Sequence, residues 1–369
     1  MMQPATASTP LRTAAAGATR RLLFFDNLRV VLMAMVIVHH AGQAYGPTGG
    51  EWPFMEPTRA AILGPFFAVN RSFGMSLFFM IAGYFTVIAC DRKGPVPFLK
   101  DRLLRLGVPL LVWVALMGLV QGLIEQRLVW PVEIGHLWFV QHLLIYSAVY
   151  AGWRAWRRAR PGRVPVQPHA GSPPPWWAIA AFAFGLALAS AIIRTWFPID
   201  HWIYLLGFVR VAFADVPRDL GLFIAGVLAC RHGWVLSFPS RAGRAWLALG
   251  LLLAAGWYGY ELAAPGGLPM SEAAAGAIYA IWESYLCVGM CIGLTVLFRD
   301  VCAGQSSLGK KMAQAQYATY VFHVPIVLLF QWLALGLTAA PFAKFVLVSL
   351  ISIPAAFFAG YWIRKPLGM

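Results

Sequence analysis

Long apolar runs separated by short polar connections are the main pattern of the chain. Runs of about 20 apolar residues are long enough to cross a bilayer as helices, so ten such runs predict an all-α bundle of ten transmembrane helices. The predicted helices cover residues 22–45, 70–90, 103–124, 136–153, 176–196, 217–231, 244–262, 275–298, 314–337 and 342–363. The apolar stretch 201–213 is too short to span, which favours a re-entrant or interfacial segment.

The other segments complete a single polytopic membrane domain with two tails. Residues 22–363 form the predicted domain, residues 1–21 a disordered cytoplasmic tail and residues 364–369 a second cytoplasmic tail. The connection 154–175 is rich in Pro and Arg and is predicted to be a mobile cytoplasmic loop. The first apolar run lacks an A-x-A cleavage motif, so we expect it to be retained as a membrane helix.

The basic residues indicate which side of the membrane each connection occupies. With the N-terminus in the cytoplasm, 22 of the 29 Lys and Arg fall in inner segments and 7 in outer segments. This positive-inside distribution predicts an even number of spans with both termini cytoplasmic. The net charge of +15 is therefore attributed to topology, and no nucleic-acid partner is expected.

The composition excludes several classes of protein. Hydrophobic residues make up 60% of the chain and charged residues 12%, against about 45–50% and about 25% in soluble globular proteins, which excludes a soluble enzyme. The five cysteines include no C-x-x-C pair and support neither a disulfide framework nor a zinc site. No G-x-S-x-G, P-loop or H-E-x-x-H motif is present, so serine hydrolysis and ATP-driven pumping lack their usual sequence support.

Ionisable residues inside the predicted helices are the first candidates for function, because a charge in a bilayer needs a partner or a task. In the first helix, Asp26, Arg29 and His40 lie on one side at 100° per residue. Arg29 and His40 are separated by about 16 Å along the helix axis. The structural alternative is an Asp26–Arg29 pair that fixes the helix end and a His40 that bonds to a neighbouring helix.

Two further helices carry histidines at a similar depth. His136 begins the fourth predicted helix in the sequence HLWF, and His142 follows almost two turns later. In the ninth helix, Tyr317, Tyr320 and His323 recur at three-residue intervals ahead of a proline at position 325. The missing N–H of that proline is expected to kink the helix and free a carbonyl near His323.

Arg102 and Arg105 lie one turn apart where the third predicted helix begins. Guanidinium groups bind phosphate in bidentate fashion, so the pair suits the diphosphate of a nucleotide-like ligand such as coenzyme A. A purely topological role would look similar. Glu283 in the eighth helix is a candidate counter-charge for one of the histidines, and no metal site is expected.

Four motifs occur in the order found in the membrane acyltransferase 3 family, and this chain resembles that family through nearly all ten predicted helices. The motifs are FDNLR with His40 eleven residues after Arg29, SLFFMIAGYF, FLKDRLLRLGVP, and HLWF followed by YxxYxxHxP. The residues of these motifs are similar to those of the glucan biosynthesis protein C group, which succinylates osmoregulated periplasmic glucans. Two positions depart from the family pattern, Ala82 in place of Ser and Val324 in place of a second His.

The resemblance implies transfer of an acetyl or succinyl group from cytoplasmic acyl-CoA to a hydroxyl of an envelope glycan or glycolipid in a bacterial inner membrane. His40 would be the catalytic histidine and Arg29 its companion, with Arg29, Arg102 and Arg105 as contacts to the donor. Further candidates for orienting the imidazole or binding the acceptor are His136, Tyr320, His323 and Glu283. We expect no fused periplasmic domain of the kind that some relatives carry, so either the membrane domain reaches the acceptor itself or a separate periplasmic transferase completes the reaction.

Two other classes of function remain open at this stage. A proton-coupled transporter or flippase would also place His, Glu and Arg inside helices near the midplane. A non-catalytic membrane subunit would use the same residues only to hold helices together. For the enzyme, His40 acting as a general base and His40 carrying the acyl group covalently both suit imidazole.

Overall fold

The computed structural model describes residues 22–47, 52–126, 132–159, 171–264 and 269–365. The predicted tail 1–21, the centre of the predicted loop 154–175 and the last four residues of the predicted C-terminal tail lie outside these ranges.

Helices account for most of the described chain. In order, they are α1 (Leu23–Gly42), α2 (Leu63–Lys93), α3 (Pro95–Arg102), a π turn (Leu103–Gly107), α4 (Val108–Glu125), α5 (Trp138–Arg158), α6 (Trp176–Arg194), α7 (Val216–Arg231), α8 (Trp234–Ser237), α9 (Ser240–Ala263), α10 (Glu272–Val301), α11 (Ser307–Ala334) and α12 (Pro341–Ile363). Short 3₁₀ turns precede α5 and α7, at Gly135–Leu137 and Phe213–Asp215.

Each of the ten predicted spans coincides with a helix, and seven helical units in the described residues are long and apolar enough to cross a membrane. The seven are α1, α2, α3 with α4, α6, α10, α11 and α12. The helices at the other three predicted spans are α5, α7 and α9, and α7 has only 16 residues. The chain is thus a helical multi-pass membrane protein.

The boundaries of the third span differ from the prediction for a local reason. The helical unit begins at Pro95, eight residues before the predicted start, because Gly94 adopts a positive φ of 86° and proline is tolerated in a first turn. The π turn follows directly, and within it the N–H of Val108 donates to the carbonyl of Leu103. Pro109 lacks the N–H that would bond four residues back, which favours this wider turn.

The segment 201–213 contains the two strands of the described chain and corrects the all-α prediction at this point. β1 (Ile203–Leu205) pairs antiparallel with β2 (Val209–Val211). Leu206 and Gly207 both have positive φ, 53° and 74°, as a type I′ hairpin turn requires. The hairpin docks on α5 because Gln141 donates to the carbonyl of Phe208 at 2.7 Å and accepts from the N–H of Arg210 at 2.9 Å.

Two large apolar clusters and a smaller third one, formed by residues of α2, α3 and α5, make up the core, and α1 and α2 contribute to both large clusters. One contains residues of α4, α5, α11 and α12, and the other contains residues of α6, α9 and α10. The helices α2 and α7 approach closely at Gly83 and Gly226: a Cβ at Gly83 would lie 2.1 Å from the carbonyl oxygen of Phe223, and one at Gly226 would lie 1.9 Å from that of Met80. Small residues at such a crossing let two backbones pack in direct contact.

Candidate active site

The start of α1 is fixed by polar contacts to the segments around α11. Arg29 pairs with Asp26 at 2.7 Å, and its guanidinium carbon lies 5.0 Å from the centroid of the Phe85 ring. Asn27 donates to the carbonyls of Cys302 at 2.8 Å and Gly304 at 2.7 Å, and Gln316 donates to the carbonyl of Asp26 at 3.0 Å. These bonds position Arg29 on the side of α1 that also carries His40.

Three of the predicted site residues meet in one cluster of histidines. The ring centroids of His40 and His323 are 4.8 Å apart, those of His136 and His323 are also 4.8 Å apart, and those of His40 and His136 are 6.4 Å apart. His323 Nε2 lies 3.3 Å from His40 Nδ1. His323 is fully buried and His136 is 9% exposed, whereas His40 is only partly buried.

The hydrogen bonds of the cluster indicate which ring nitrogen of each neutral histidine carries the proton. His40 Nδ1 faces the carbonyl of Val36 at 2.9 Å, and His323 Nδ1 faces the carbonyl of Tyr320 at 2.7 Å. A carbonyl only accepts, so both Nδ1 atoms carry the proton when the rings are neutral. His323 Nε2 then accepts from His40 Nδ1–H, which it shares with Val36. The lone pair of His40 is therefore on Nε2, which forms no hydrogen bond with any of the described residues.

Pro325 lies inside α11 and explains how His136 joins the cluster. Because Pro325 has no N–H, the carbonyl of Val321, four residues earlier, has no helical donor. His136 Nε2 lies 3.1 Å from that carbonyl and donates to it. The Tyr320 hydroxyl donates to the main-chain carbonyl of His136. The carbonyl that the sequence predicted to be free near His323 is thus the one that anchors His136.

A cavity of about 230 Å³ is lined by two of the three predicted donor contacts, and none of the three histidines is among its lining residues. Arg29 and Arg102 line it together with Tyr317 and Tyr320. Its other walls are largely apolar and include Met33, Met75, Phe78, Ile81, Phe85, Phe139 and Leu143. Tyr320 contributes to the wall of the cavity, and its hydroxyl donates to the main-chain carbonyl of His136. One side chain thus belongs both to the cavity that the arginines line and to the surroundings of the histidines.

Arg105 points away from this cavity. Its side chain is 70% exposed and pairs with Asp101 at 3.0 Å, whereas the guanidinium carbon of Arg102 lies 5.3 Å from the Phe98 ring centroid. The π turn begins directly after Arg102, and because it has more residues per turn than an α-helix, it widens the angle between the two side chains. The structure therefore separates a pair that the sequence placed together.

Glu283 lies in a different cluster, next to arginines. It pairs with Arg194 at 2.5 Å and also with Arg218. Asp215 completes the group, because it accepts from Arg218 at 3.0 Å and from Arg71 at 3.1 Å. None of the contacts formed by Glu283 within the described residues involves a histidine.

This ion cluster was missed from the sequence, although a signal for it existed. Arg71, Arg194 and Arg218 belong to the seven cations that depart from the positive-inside pattern. Basic residues in outer segments that are also next to predicted helices need acidic partners, and searching for those partners would have pointed to Asp215 and Glu283.

Nearly the whole chain matches one protein family. A family model described as an acyltransferase domain matches residues 22–362. The chain belongs to the acyltransferase 3 family. Membership confirms the resemblance drawn from the motifs and the assignment to acyl-transferring enzymes.

Relatives in this family carry the name glucans biosynthesis protein C. Those from Salmonella heidelberg, Salmonella agona and Salmonella dublin are each 28% identical to this chain over 230 residues. The match covers 58% of this chain and 59% of each relative, so the chain spans less than two thirds of the relatives' length. No solved structure matches the chain.

Proposed function

We propose that this protein transfers an acetyl or succinyl group from cytoplasmic acyl-CoA to a hydroxyl of an envelope glycan or glycolipid in a bacterial inner membrane. The observation that carries the proposal is a cavity lined by Arg29, Arg102 and Tyr320 next to the histidine cluster, with Tyr320 bonded to the main-chain carbonyl of His136. The name of the relatives supports a glucan as the acceptor. Ten spans with both termini cytoplasmic would place the start of α1, and with it Arg29, on the side of acyl-CoA.

The donor is bound by cationic and apolar surfaces in this arrangement. Arg102, with Arg29, offers guanidinium donors to phosphate oxygens, and the apolar walls of the cavity suit the acyl and pantetheine chain. At about 230 Å³ the cavity is below the range of about 300–1,000 Å³ for sites that enclose drug-sized ligands. We therefore assign it to the thioester arm, with the nucleotide outside.

His40 performs the chemistry through Nε2. As a general base, Nε2 takes the proton of the acceptor hydroxyl while its oxygen attacks the thioester carbon; the C–S bond then breaks and the sulfur takes that proton. As a nucleophile, Nε2 itself attacks the thioester carbon, the C–S bond breaks and CoA leaves as a thiolate. The acceptor hydroxyl then attacks the acyl carbon, the bond from that carbon to Nε2 breaks, and the hydroxyl proton ends on the thiolate. Both routes use the same lone pair, and His323 stabilises the imidazolium through its bond to Nδ1.

The other candidates support these steps. His136 and Tyr320 hold α11 and α5 together at the cluster and keep His323 in place. We assign Glu283 to folding, because its contacts are with Arg194 and Arg218. Arg105 is assigned to the membrane surface, where it pairs with Asp101.

Transfer of radiolabel from acetyl-CoA and succinyl-CoA in inverted membrane vesicles tests the proposal. Wild type is compared with His40→Ala and with His39→Ala, a matched control that removes the neighbouring imidazole, which packs on Phe66 and Phe67. Label on glycan with wild type and His39→Ala, and background label with His40→Ala, is the expected result. Equal background in all three, with acceptor present and folded protein at matched levels, would favour a transporter or a non-catalytic subunit.

A further inference from the structure

The segment that follows α1 folds back against His40. It is described over residues 43–47 and 52–62, and within it the ring centroid of Trp52 lies 5.7 Å from that of His40. Trp52 does not line the cavity that contains Arg29 and Arg102. Trp52 is therefore an aromatic neighbour of His40 that lies outside the proposed donor cavity, and His40 is not among the residues that line that cavity either.

Gln331 fixes the indole of Trp52 relative to the backbone of His40. The Trp52 Nε1–H donates to Gln331 Oε1 at 2.7 Å, and Gln331 Nε2 donates to the carbonyls of His40 and Ala41, each at 3.1 Å. The last carbonyls of a helix have no partner within the helix, and α1 ends at Gly42. One side-chain amide, 1% exposed, thus satisfies two of those carbonyls and holds the tryptophan.

A buried ion pair holds the same segment at a second point. Lys344 of α12, 4% exposed, pairs with Glu56 at 2.6 Å. The N–H of Glu56 donates to the carbonyl of Ala44 at 2.9 Å. With both ends of the stretch from Trp52 to Glu56 attached to helices, the indole is a rigid surface and not a freely rotating side chain.

The chemistry of this surface matches a sugar. The apolar C–H face of a pyranose ring packs on an aromatic ring by dispersion, while its hydroxyls project from the edge of the sugar. A hydroxyl at that edge would reach the unpartnered Nε2 of a histidine whose ring is 5.7 Å from the indole. A ringless alcohol has no face that such a surface could select.

We propose that Trp52, held by Gln331, is the acceptor-binding surface of the enzyme: it stacks on a sugar ring of the glycan and directs one hydroxyl toward His40. This inference rests on the proposed function and adds to it the residue that selects a cyclic carbohydrate acceptor. Trp52 is a specificity-determining residue, and Gln331 is a positioning residue.

The test compares two acceptors in purified, detergent-solubilised full-length protein with the acyl-CoA that wild type consumes. One acceptor is a glucan oligosaccharide and the other is glycerol at molar concentration, which offers hydroxyls without a ring. The variants are Trp52→Ala, Trp52→Phe and, as a control, Trp196→Ala, which removes a tryptophan that is 70% exposed. Thioester consumption and acyl transfer are both measured.

Stacking on Trp52 predicts a selective effect. Trp52→Ala is expected to lower kcat/KM for the oligosaccharide about tenfold, mainly by raising its KM. The KM of acyl-CoA and the rate with glycerol stay within about twofold of wild type. Trp52→Phe keeps most of the activity because it keeps a ring, and Trp196→Ala behaves as wild type.

Three results would overturn the inference. An equal loss with both acceptors, or a changed KM for acyl-CoA, would mean that Trp52 only supports the fold. A Trp52→Phe variant as weak as Trp52→Ala would assign the effect to the bond with Gln331 instead of to stacking. Unchanged transfer in all variants would show that Trp52 does not bind the acceptor and would leave the proposed acyltransferase function standing. If wild type consumes no thioester, the proposed function itself is refuted.

Discussion

At the scale of single residues, His40 and His323 differ in their accessibility and in the hydrogen bonds that their ring nitrogens form. His40 is partly accessible and carries its lone pair on Nε2, whereas His323 is fully buried and offers Nε2 only to His40. The Nδ1 of His323 is committed to the carbonyl of Tyr320, so the ring cannot turn without losing a buried hydrogen bond. The fully buried His323 therefore orients the more accessible His40.

Removing His323 should slow the reaction without weakening donor binding. His323→Ala takes away one of the two acceptors of His40 Nδ1–H, the other being the carbonyl of Val36. A hydrogen bond to a charged group, here the imidazolium formed in the reaction, contributes about 1.5–3 kcal/mol, which is about 10–150-fold in rate. We expect kcat to fall by about that factor with the KM of acyl-CoA unchanged, measured by steady-state kinetics. His201→Ala, which changes an exposed histidine, is the control. An unchanged kcat in folded His323→Ala would contradict the role of His323 in orienting His40.

Arg102 and Arg105 should differ in their effect on donor binding, although the sequence treats them alike. Arg102→Ala removes a charged donor from the cavity wall, and a hydrogen bond to a charged group contributes about 1.5–3 kcal/mol. The KM of acyl-CoA should therefore rise at least about tenfold. Arg105→Ala breaks only an exposed pair with Asp101, worth about 0–1 kcal/mol, and should change KM by less than a factor of about five. Equal effects of the two variants would argue against the cavity as the donor site.

At the scale of the elements, the sequence predicted the location of helices well and their local geometry less well. Apolar runs and the histidine motifs placed α1, α5 and α11, and the expectation that Pro325 frees a carbonyl is confirmed by the bond from His136 to Val321. The π turn that separates Arg102 from Arg105 and the hairpin at 203–211 were not predicted. Both depend on a few backbone angles that hydrophobic periodicity does not report.

The hairpin is stabilised by polar contacts that only the folded chain brings together. Tyr204 donates to Glu133 at 2.8 Å, and Arg210 pairs with the same carboxylate. Burial, together with the hydrogen bond to Glu133, raises the pKa of Tyr204 to about 12, so its hydroxyl stays protonated and keeps donating. These residues are 71 and 77 positions apart in the chain, which is why no local pattern predicts the pairing.

The crossing of α2 and α7 should tolerate no side chain larger than hydrogen. Gly226→Ala would place a Cβ 1.9 Å from the carbonyl oxygen of Met80, so the helices must separate, at a cost of about 1–3 kcal/mol or more. We expect a clear loss of folded protein and of melting temperature in detergent. Gly256→Ala is the matched control, because nothing lies within 4 Å of a Cβ there, and alanine should raise helix stability by up to about 1 kcal/mol. Similar stability of the two variants would show that α2 and α7 are farther apart at Gly226 than the structure indicates.

At the scale of the whole molecule, the seven cations of the predicted outer segments account for the imperfect charge asymmetry of the sequence. Six of the seven lie in the described chain, and each has a polar partner: Arg71 and Arg218 contact Asp215, Arg194 contacts Glu283, Arg210 contacts Glu133, Lys344 contacts Glu56, and Arg59 donates to the carbonyl of Gly46. These cations serve folding and not topology. Counting charges along the chain can predict an orientation, but it cannot predict which charges neutralise one another, because most of the partners are far apart in the sequence.

Glu283 offers the sharpest test of that division between folding and chemistry. Glu283→Gln leaves Arg194 and Arg218 buried without a full counter-charge, and breaking a buried pair costs about 3–5 kcal/mol. The variant should therefore lose melting temperature and yield of folded protein, while the fraction that folds retains acyl transfer within about threefold of wild type. The control is Glu272→Gln, an exposed change at the start of the same helix, which should alter stability by less than about 1 kcal/mol. Full stability of Glu283→Gln combined with loss of transfer would instead place this carboxylate in the reaction, and the ion cluster would then have to be considered part of the active site.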